Sequence, residues 1–248
     1  MSSFLPSGDL LLLTGVADVP AGGTKLVTLR APDGAALGLN RLVFDGAALS
    51  SLTARAQIGD RVIFDGVHVT HFNTLYDGRT MRAPLVVPDG TTLDLTLTNP
   101  SDEGPLRVWV LAEAYSAAQL EAWRSYRASN NLPEREPVFL WASDDVLAGQ
   151  ERLRLDVPTR SGGCLVTRVS VAGHDTGFSD AAPGLTVGMS AQGRDVIQTT
   201  TPSLLARAYA QREMLPGIRL GLTDTLATFH TSTLGTTARV SVLAEAFR

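Results

Sequence analysis

The chain has 248 residues, a formal net charge of −4 and a hydrophobic content of 44%. That content supports a packed core, which excludes global disorder, and the length fits one large domain or two of ordinary size. Lys25 is the only lysine and no basic run is present, so the composition gives no support for direct nucleic-acid binding.

Cysteine content and hydropathy restrict the expected compartment. Cys164 is the only cysteine, so no intrachain disulfide can form. The apolar run Leu10–Leu13 is too short to cross a membrane and lacks the positive region that precedes a secretory signal. We therefore expect synthesis and folding in the cytoplasm of the producing cell.

The first half of the chain predicts short strands separated by turn residues, after a loose arm at Met1–Gly8. Alternating or β-branched apolar residues mark the strands. They are Leu10–Val16, Thr24–Arg30, Leu42–Phe44, Val62–Phe64, Val67–Phe72, Thr91–Leu97 and Arg107–Tyr115.

A helix is predicted over Ser116–Asn130. Ser116, with Gln119 three residues later, matches a capping box, and the following residues are mostly helix formers. Asn130, Asn131 and Pro133 end it. We interpret residues 116–137 as a helix and linker between two halves.

The second half repeats the strand pattern. Its predicted strands are Leu153–Val157, Leu165–Val171, Leu185–Met189, Val196–Thr200, Ile218–Leu222, Ala227–Thr231 and Arg239–Phe247. Thr201 and Pro202 supply an N-cap and a first-turn proline, which predicts a helix over Ser203–Leu215.

An internal repeat connects the halves. Arg107–Tyr115 (RVWVLAEAY) recurs as Arg239–Phe247 (RVSVLAEAF), with seven of nine positions identical. We interpret both copies as strands and rank a helix second, because short apolar runs are ambiguous. Period-two alternation places on one core face Val108, Val110, Ala112 and Ala114, and likewise Val240, Val242, Ala244 and Ala246. The opposite, mixed faces suit contact between the halves or between subunits.

Two weaker pairs of segments support the duplication. Asn40–Gly46 resembles Thr167–Gly173, and Gly90 with the TTLDLTL that follows resembles Gly217 with the IRLGLT that follows. The predicted fold is all-β: two tandem jelly-roll sandwiches with short inserted helices. The first would span residues 1–115 and the second residues 138–248.

Few residues suggest a reactive or metal site. His68 and His71 form H-V-T-H, but positions three apart on a strand face opposite sides, so turn or surface histidines are favoured over a metal site. A two-domain cupin enzyme would need an H-x-H pair with a downstream Glu. That pattern is missing here, and the second half offers only His174 near its start.

Acidic groups receive similar interpretations. The loop with His174, Asp175 and Asp180 would offer oxygen ligands to a calcium ion, but an ordinary exposed turn is favoured, as it is for Asp144 and Asp145.

Two sets of recurring side chains have both a functional and a packing interpretation. Glu113 and Glu245 occupy equivalent repeat positions, which favours a shared packing role over a paired-carboxylate site. Trp109, Trp123 and Trp141 would form a sugar-stacking platform only on one shared surface, so packing near the helix and linker is favoured. We predict no catalytic, cofactor or metal residues.

A family resemblance rests on three features. They are the tandem sandwiches, a helix inserted in the second, and short matches at Ser3–Leu5 and Val19–Gly22 (VPAG). The chain resembles the double jelly-roll major capsid proteins of tailless icosahedral viruses, particularly membrane-containing phages of corticovirus or tectivirus type. This chain is shorter than larger members and lacks their long tower loops.

The resemblance implies a structural virion protein without enzymatic activity or cofactor. Three copies of the chain would form one pseudo-hexameric capsomer, and capsomers would tile an icosahedral shell. Its partners would be other copies of itself, neighbouring capsomers and minor capsid, spike or membrane proteins. The alternatives are a phage spike or carbohydrate-binding tandem sandwich and, ranked third, a bicupin-like metalloenzyme.

Overall fold

A computed structural model describes most of the chain and consists mainly of β-strands. The described residues are 10–31, 33–49, 51–76, 80–101, 104–132, 135–147, 153–158, 163–174, 185–201, 217–232 and 238–248. The predicted arm Met1–Gly8, the predicted helix Ser203–Leu215, and Asp175 and Asp180 lie outside these residues.

The first half forms two four-stranded antiparallel sheets. Its elements are β1 (Leu11–Val19), β2 (Thr24–Leu29), β3 (Leu37–Gly46), β4 (Thr53–Ile58), β5 (Arg61–His68), helix α1 (Thr70–Leu75), β6 (Leu85–Val87), β7 (Leu93–Thr98) and β8 (Leu106–Tyr115). The strand orders are β1-β8-β3-β6 and β2-β7-β4-β5. This order is that of a jelly roll, in which eight strands divide between two sheets.

The second half repeats this topology after helix α2. Its elements are α2 (Ala117–Ser129), β9 (Pro137–Val146), β10 (Leu153–Pro158), β11 (Cys164–His174), β12 (Leu185–Ala191), β13 (Arg194–Thr200), β14 (Ile218–Leu220), β15 (Thr225–Ser232) and β16 (Ala238–Phe247). The orders β9-β16-β11-β14 and β10-β15-β12-β13 equal those of the first half shifted by eight strands.

Helix α2 begins as its sequence predicts. The Ser116 hydroxyl accepts from the Gln119 backbone N–H, and the Gln119 side chain accepts from the Ser116 N–H, which completes a capping box. Leu120 docks over Gly38 at the start of β3. A Cβ at Gly38 would come within 2.9 Å of Leu120, so glycine is needed there for close packing.

The nine-residue repeats occupy equivalent positions, β8 and β16, each between two strands of its sheet. The strand interpretation is confirmed, and the helical alternative is wrong. The predicted core faces are also confirmed: all eight of their Val and Ala residues are buried. Even the irregularities recur, since the register shifts between Leu39 and Arg41 in one half and between Val166 and Arg168 in the other. The pairing of Asn40–Gly46 with Thr167–Gly173 is therefore confirmed.

The second weak pairing is wrong. Gly217 precedes β14, the counterpart of β6, whereas the strand after Gly90 is β7, whose counterpart is β15. Alternating Leu and Thr occurs in many strands, so this pattern does not distinguish one strand from another.

Other differences from the predicted elements have local causes. The strand predicted over Val67–Phe72 ends at His68, and the residues from Thr70 onward form helix α1 instead. The unpredicted β4 is marked mainly by small alanines, and β6 has only three residues. In β9, Phe139, Leu140 and Trp141 are all buried, so the alternation that identifies a half-buried strand is lost.

His230, on β15, is a buried base inside the second sandwich. Its Nε2 lies 2.9 Å from the Thr228 hydroxyl, and its Nδ1 has no hydrogen-bond partner among the described residues. Burial lowers the pKa of His230 from 6.5 to about 4.

We predict that this histidine makes folding sensitive to acid. Between pH 6.5 and pH 4 the His230 imidazole is protonated in the unfolded chain but neutral in the folded chain. The free energy of unfolding therefore decreases as the pH falls from 6.5 towards 4. The loss of unfolding free energy from this histidine reaches about 3 kcal/mol. Urea denaturation of the wild type and of His230→Gln at pH 7 and pH 4.5 measures it. The variant should lose less stability, and equal losses would contradict the assignment.

Candidate functional site at the junction of the two sandwiches

The two sandwiches meet at the outer face of the β9-β16-β11 sheet, which α1 and β5 of the first half cover. Phe139, Trp141 and Leu243 from this face join the hydrophobic core of the first sandwich. The rings of Phe64 on β5 and Phe139 on β9 pack edge to face, with their centroids 6.1 Å apart. The second repeat's mixed face thus contacts the other half, as one sequence interpretation proposed.

A buried ion pair lies within this junction. Arg168 Nη1 is 3.2 Å from Glu245 Oε2, and the two side chains are 6% and 0% exposed. Glu245 also accepts hydrogen bonds from the Tyr76 hydroxyl (3.4 Å) and the Arg82 backbone N–H (3.1 Å). Both donors belong to the first half, so the carboxylate is satisfied only when the halves are docked.

Tyr76 is fully buried beside this pair. Burial, followed by the charge of Glu245, raises the pKa of the Tyr76 phenol well above its ordinary value. The phenol therefore remains a hydrogen-bond donor to the carboxylate at physiological pH.

The first half contains the same ion pair in its duplicate position. Arg41 Nη1 lies 2.9 Å from Glu113 Oε1, with the side chains 26% and 19% exposed. Arg41 Nε also donates to the backbone carbonyl of Tyr76 at 3.1 Å. Tyr76 therefore connects the two copies of one ancestral pair. Glu113 and Glu245 thus each form an ion pair with an arginine of the neighbouring strand, in equivalent positions of the two halves.

The histidines of H-V-T-H lie in the junction, and their prediction as turn or surface residues is wrong. Because β5 ends at His68 and α1 turns the chain, both rings reach the same serine. His68 Nδ1 lies 2.6 Å and His71 Nε2 2.7 Å from Ser241 Oγ, and His71 Nδ1 lies 2.9 Å from Ser170 Oγ.

This cluster contains the residue types of a nucleophilic site, but it is closed to solvent. A hydroxyl between imidazoles is the arrangement that activates a serine. Here His68, His71 and Ser241 are at most 2% exposed, so the hydroxyl does not reach solvent. No group of three or more His, Cys, Asp or Glu side chains able to hold a metal occurs among the described residues. The geometry fits a hydrogen-bond network that holds the junction together.

The three tryptophans lie in separate environments. Trp109 is exposed beside Arg107, Trp141 is buried in the junction, and Trp123 lines a cleft of about 420 Å³. Within that cleft, Glu136 bridges Arg61 and Arg248 at 2.6 and 2.8 Å. The residues therefore do not form the shared aromatic surface that a sugar platform requires.

The remaining candidate residues are not brought together. Asp144 and Asp145 are exposed on β9, and the backbone of His174 ends β11. Cys164 is buried, and burial raises the pKa of its thiol. None of the described helices is long and apolar enough to span a membrane.

Sequence reasoning missed Tyr76, Ser170 and Ser241 as junction residues. It also noted the repeated Arg and Glu without pairing them, because they lie 72 and 77 residues apart. Their joint recurrence in both halves is the sequence signal that marks these residues as equivalent, but it does not show that they are in contact.

Comparisons with known proteins agree with this topology. No family model matches the chain, and no curated protein matches it significantly. The major capsid protein of bacteriophage PM2 superposes with a TM-score of 0.50 and 11% identity, over 97% of this chain and 98% of that chain. The fold is a double jelly roll. The STIV major capsid protein gives a TM-score of 0.50 with 9% identity over 96% of each chain. A chain in the atomic structure of Sulfolobus turreted icosahedral virus gives 0.54 with 11% identity, over 97% of this chain and 91% of that chain.

We predict unequal costs for breaking the two duplicate ion pairs. Arg168→Met leaves the buried Glu245 carboxylate without its cation and should cost about 3–5 kcal/mol of unfolding free energy. Arg41→Met is the matched control, and its partly exposed pair should cost about 1 kcal/mol. Urea denaturation at pH 7 compares them, and equal losses would show that the junction pair has no special role.

Proposed function

We propose that this chain is a major capsid subunit, a structural virion protein without enzymatic activity. Three copies would form a pseudo-hexameric capsomer, and capsomers would tile an icosahedral shell. The observation that carries the proposal is the duplicated jelly roll itself, together with its likeness over nearly the whole chain to capsid proteins of PM2 and STIV.

The physical reason concerns symmetry. A chain with two similar sandwiches places six similar units around the axis of a trimer, and such a body tiles a surface with broad side-to-side contacts. The buried junction suits this role, because an ion pair and a histidine–serine network fix the relation between the two units. In this proposal the first jelly roll spans residues 1–115, residues 116–137 connect, and the second spans 138–248.

The proposal includes partners and location. The chain would contact other copies of itself, neighbouring capsomers and minor capsid, spike or membrane proteins. It would be made in the host cytoplasm and end in the virion, without direct contact to nucleic acid.

Light scattering on the purified full-length protein tests the proposal. We expect a particle of about 79 kDa, three times the chain mass of 26.3 kDa. Negative-stain images should show a six-lobed outline, because six similar sandwiches surround the axis. A monomer at all salt concentrations, or stoichiometric glycan binding by that monomer, would overturn the proposal in favour of a binding protein.

A further inference from the structure

The cleft of about 420 Å³ lies where β5 and β6 of the first half, helix α2 and the start of β9 meet. The described residues that line it include four arginines, Arg61, Arg124, Arg135 and Arg248, and one acidic residue, Glu136. Four positive charges therefore surround one negative charge, although the whole chain has a net charge of −4. We call this site the arginine cleft, and its charge favours an anionic ligand.

Glu136 shows that arginines from distant parts of the chain surround one carboxylate in the arginine cleft. Arg61 Nη1, on β5, lies 2.6 Å from its Oε1, and Arg248 Nη2, just after β16, lies 2.8 Å from its Oε2. Guanidinium groups are suited to such contacts, because their planar arrangement of N–H donors matches the geometry of carboxylates and phosphates. The pairs with Glu136 hold both arginines in the wall of the cleft.

Arg124 and Arg135 lie on other parts of the cleft wall. The guanidinium carbon of Arg135 is 5.6 Å from the centroid of the Phe247 ring. Arg124 Nη1 lies 3.4 Å from Glu121 Oε2, and these two side chains are 45% and 69% exposed. An ion pair this exposed contributes little free energy, so Arg124 can turn towards a ligand at low cost.

Helix α2 adds positive charge beside the arginine cleft. Trp123 lines the cleft, and the guanidinium carbon of Arg127 is 5.2 Å from the centroid of its ring. Burial, followed by the charge of Arg82, lowers the pKa of Arg127. Like charges are therefore close together here, and a bound anion would reduce their repulsion.

The floor of the arginine cleft is apolar. Pro84, Leu85 and Pro137 are buried residues that line it. An apolar floor lowers the local dielectric constant and so strengthens the attraction between an anion and the guanidinium groups. The volume falls within the range of about 300–1,000 Å³ that is typical of small-molecule sites.

We propose that the arginine cleft binds a phosphate group, which Arg124 and Arg135 contact while Glu136 holds Arg61 and Arg248 in place. A phosphate has more acceptor oxygens than a carboxylate and carries up to two negative charges, which suits a site with several converging guanidinium groups. The group would belong to a soluble phosphate compound or to the headgroup of an anionic phospholipid. This site is independent of the proposed capsid role.

Calorimetric titration of the full-length protein with inorganic pyrophosphate, at pH 7 and low salt, tests the site. We expect one pyrophosphate bound per chain. Arg124→Gln should weaken binding about tenfold, because a hydrogen bond to a charged group changes affinity by about that factor. The matched control is Arg55→Gln on β4. Arg55 is also 45% exposed and has a similar exposed pair, with Asp65 at 3.7 Å, so the control removes the same charge outside the cleft and should leave the affinity unchanged.

A third variant should act in the opposite direction. Glu136→Gln removes the one carboxylate among the described residues that line the cleft, so pyrophosphate should bind more tightly. Circular dichroism verifies that all three variants fold.

Flotation with phosphatidylglycerol vesicles, with phosphatidylcholine vesicles as the neutral control, distinguishes the two sources of phosphate. Flotation that Arg124→Gln abolishes would assign a lipid headgroup, whereas pyrophosphate binding without flotation would assign a soluble phosphate compound. Binding of neither probe, or equal weakening by Arg124→Gln and Arg55→Gln, overturns this inference. A protein that is monomeric at all salt concentrations but binds pyrophosphate through Arg124 overturns the proposed function alone.

Discussion

The arrangement of the two sandwiches depends on one buried carboxylate. Glu245 has no solvent contact, so its charge must be balanced and its oxygens must be bonded within the protein. Arg168 balances the charge from the same sheet, and Tyr76 and Arg82 reach across from the first half. A shift of one half against the other would break these bonds and leave a buried charge, which is why the junction has one geometry.

The duplication shows how one ancestral face acquired two uses. Both halves retain the Arg–Glu pair across the same two strands and beside the same register shift. What differs is the surrounding set of side chains. Ser241 is small and lies between two imidazoles, and a tryptophan, as found at the equivalent Trp109, would fill the space that those rings occupy. The equivalent Trp109 is 51% exposed on the corresponding face of the first half.

This division places both histidines in the interior of the junction. The residue types of a Ser–His site are present, but they lie where two domains meet and not in a cleft. Their contribution is to join a strand and a helix of one half to two strands of the other. The protein has a buried ion pair and a histidine–serine network between its lobes. That property fits the proposed capsid role better than a sugar-binding spike or a bicupin enzyme, because the three tryptophans are dispersed and the histidines are enclosed.

The sequence by itself determined the all-β class, the duplication, the capping box of α2 and the inward face of both repeats. Alternation and capping depend on residues that are close neighbours in the chain, and the duplication is visible as identity between two segments. Strands β4, β6 and β9 were missed because small residues, short length or burial on both faces remove alternation. Only the tertiary structure decided that His68 and His71 are interior, that Arg168 meets Glu245, and that Ser241 in one repeat is buried while the equivalent Trp109 is exposed. Those outcomes depend on which sheet packs against which helix across more than 70 residues of chain, and period-two patterns contain no information about contacts over that distance.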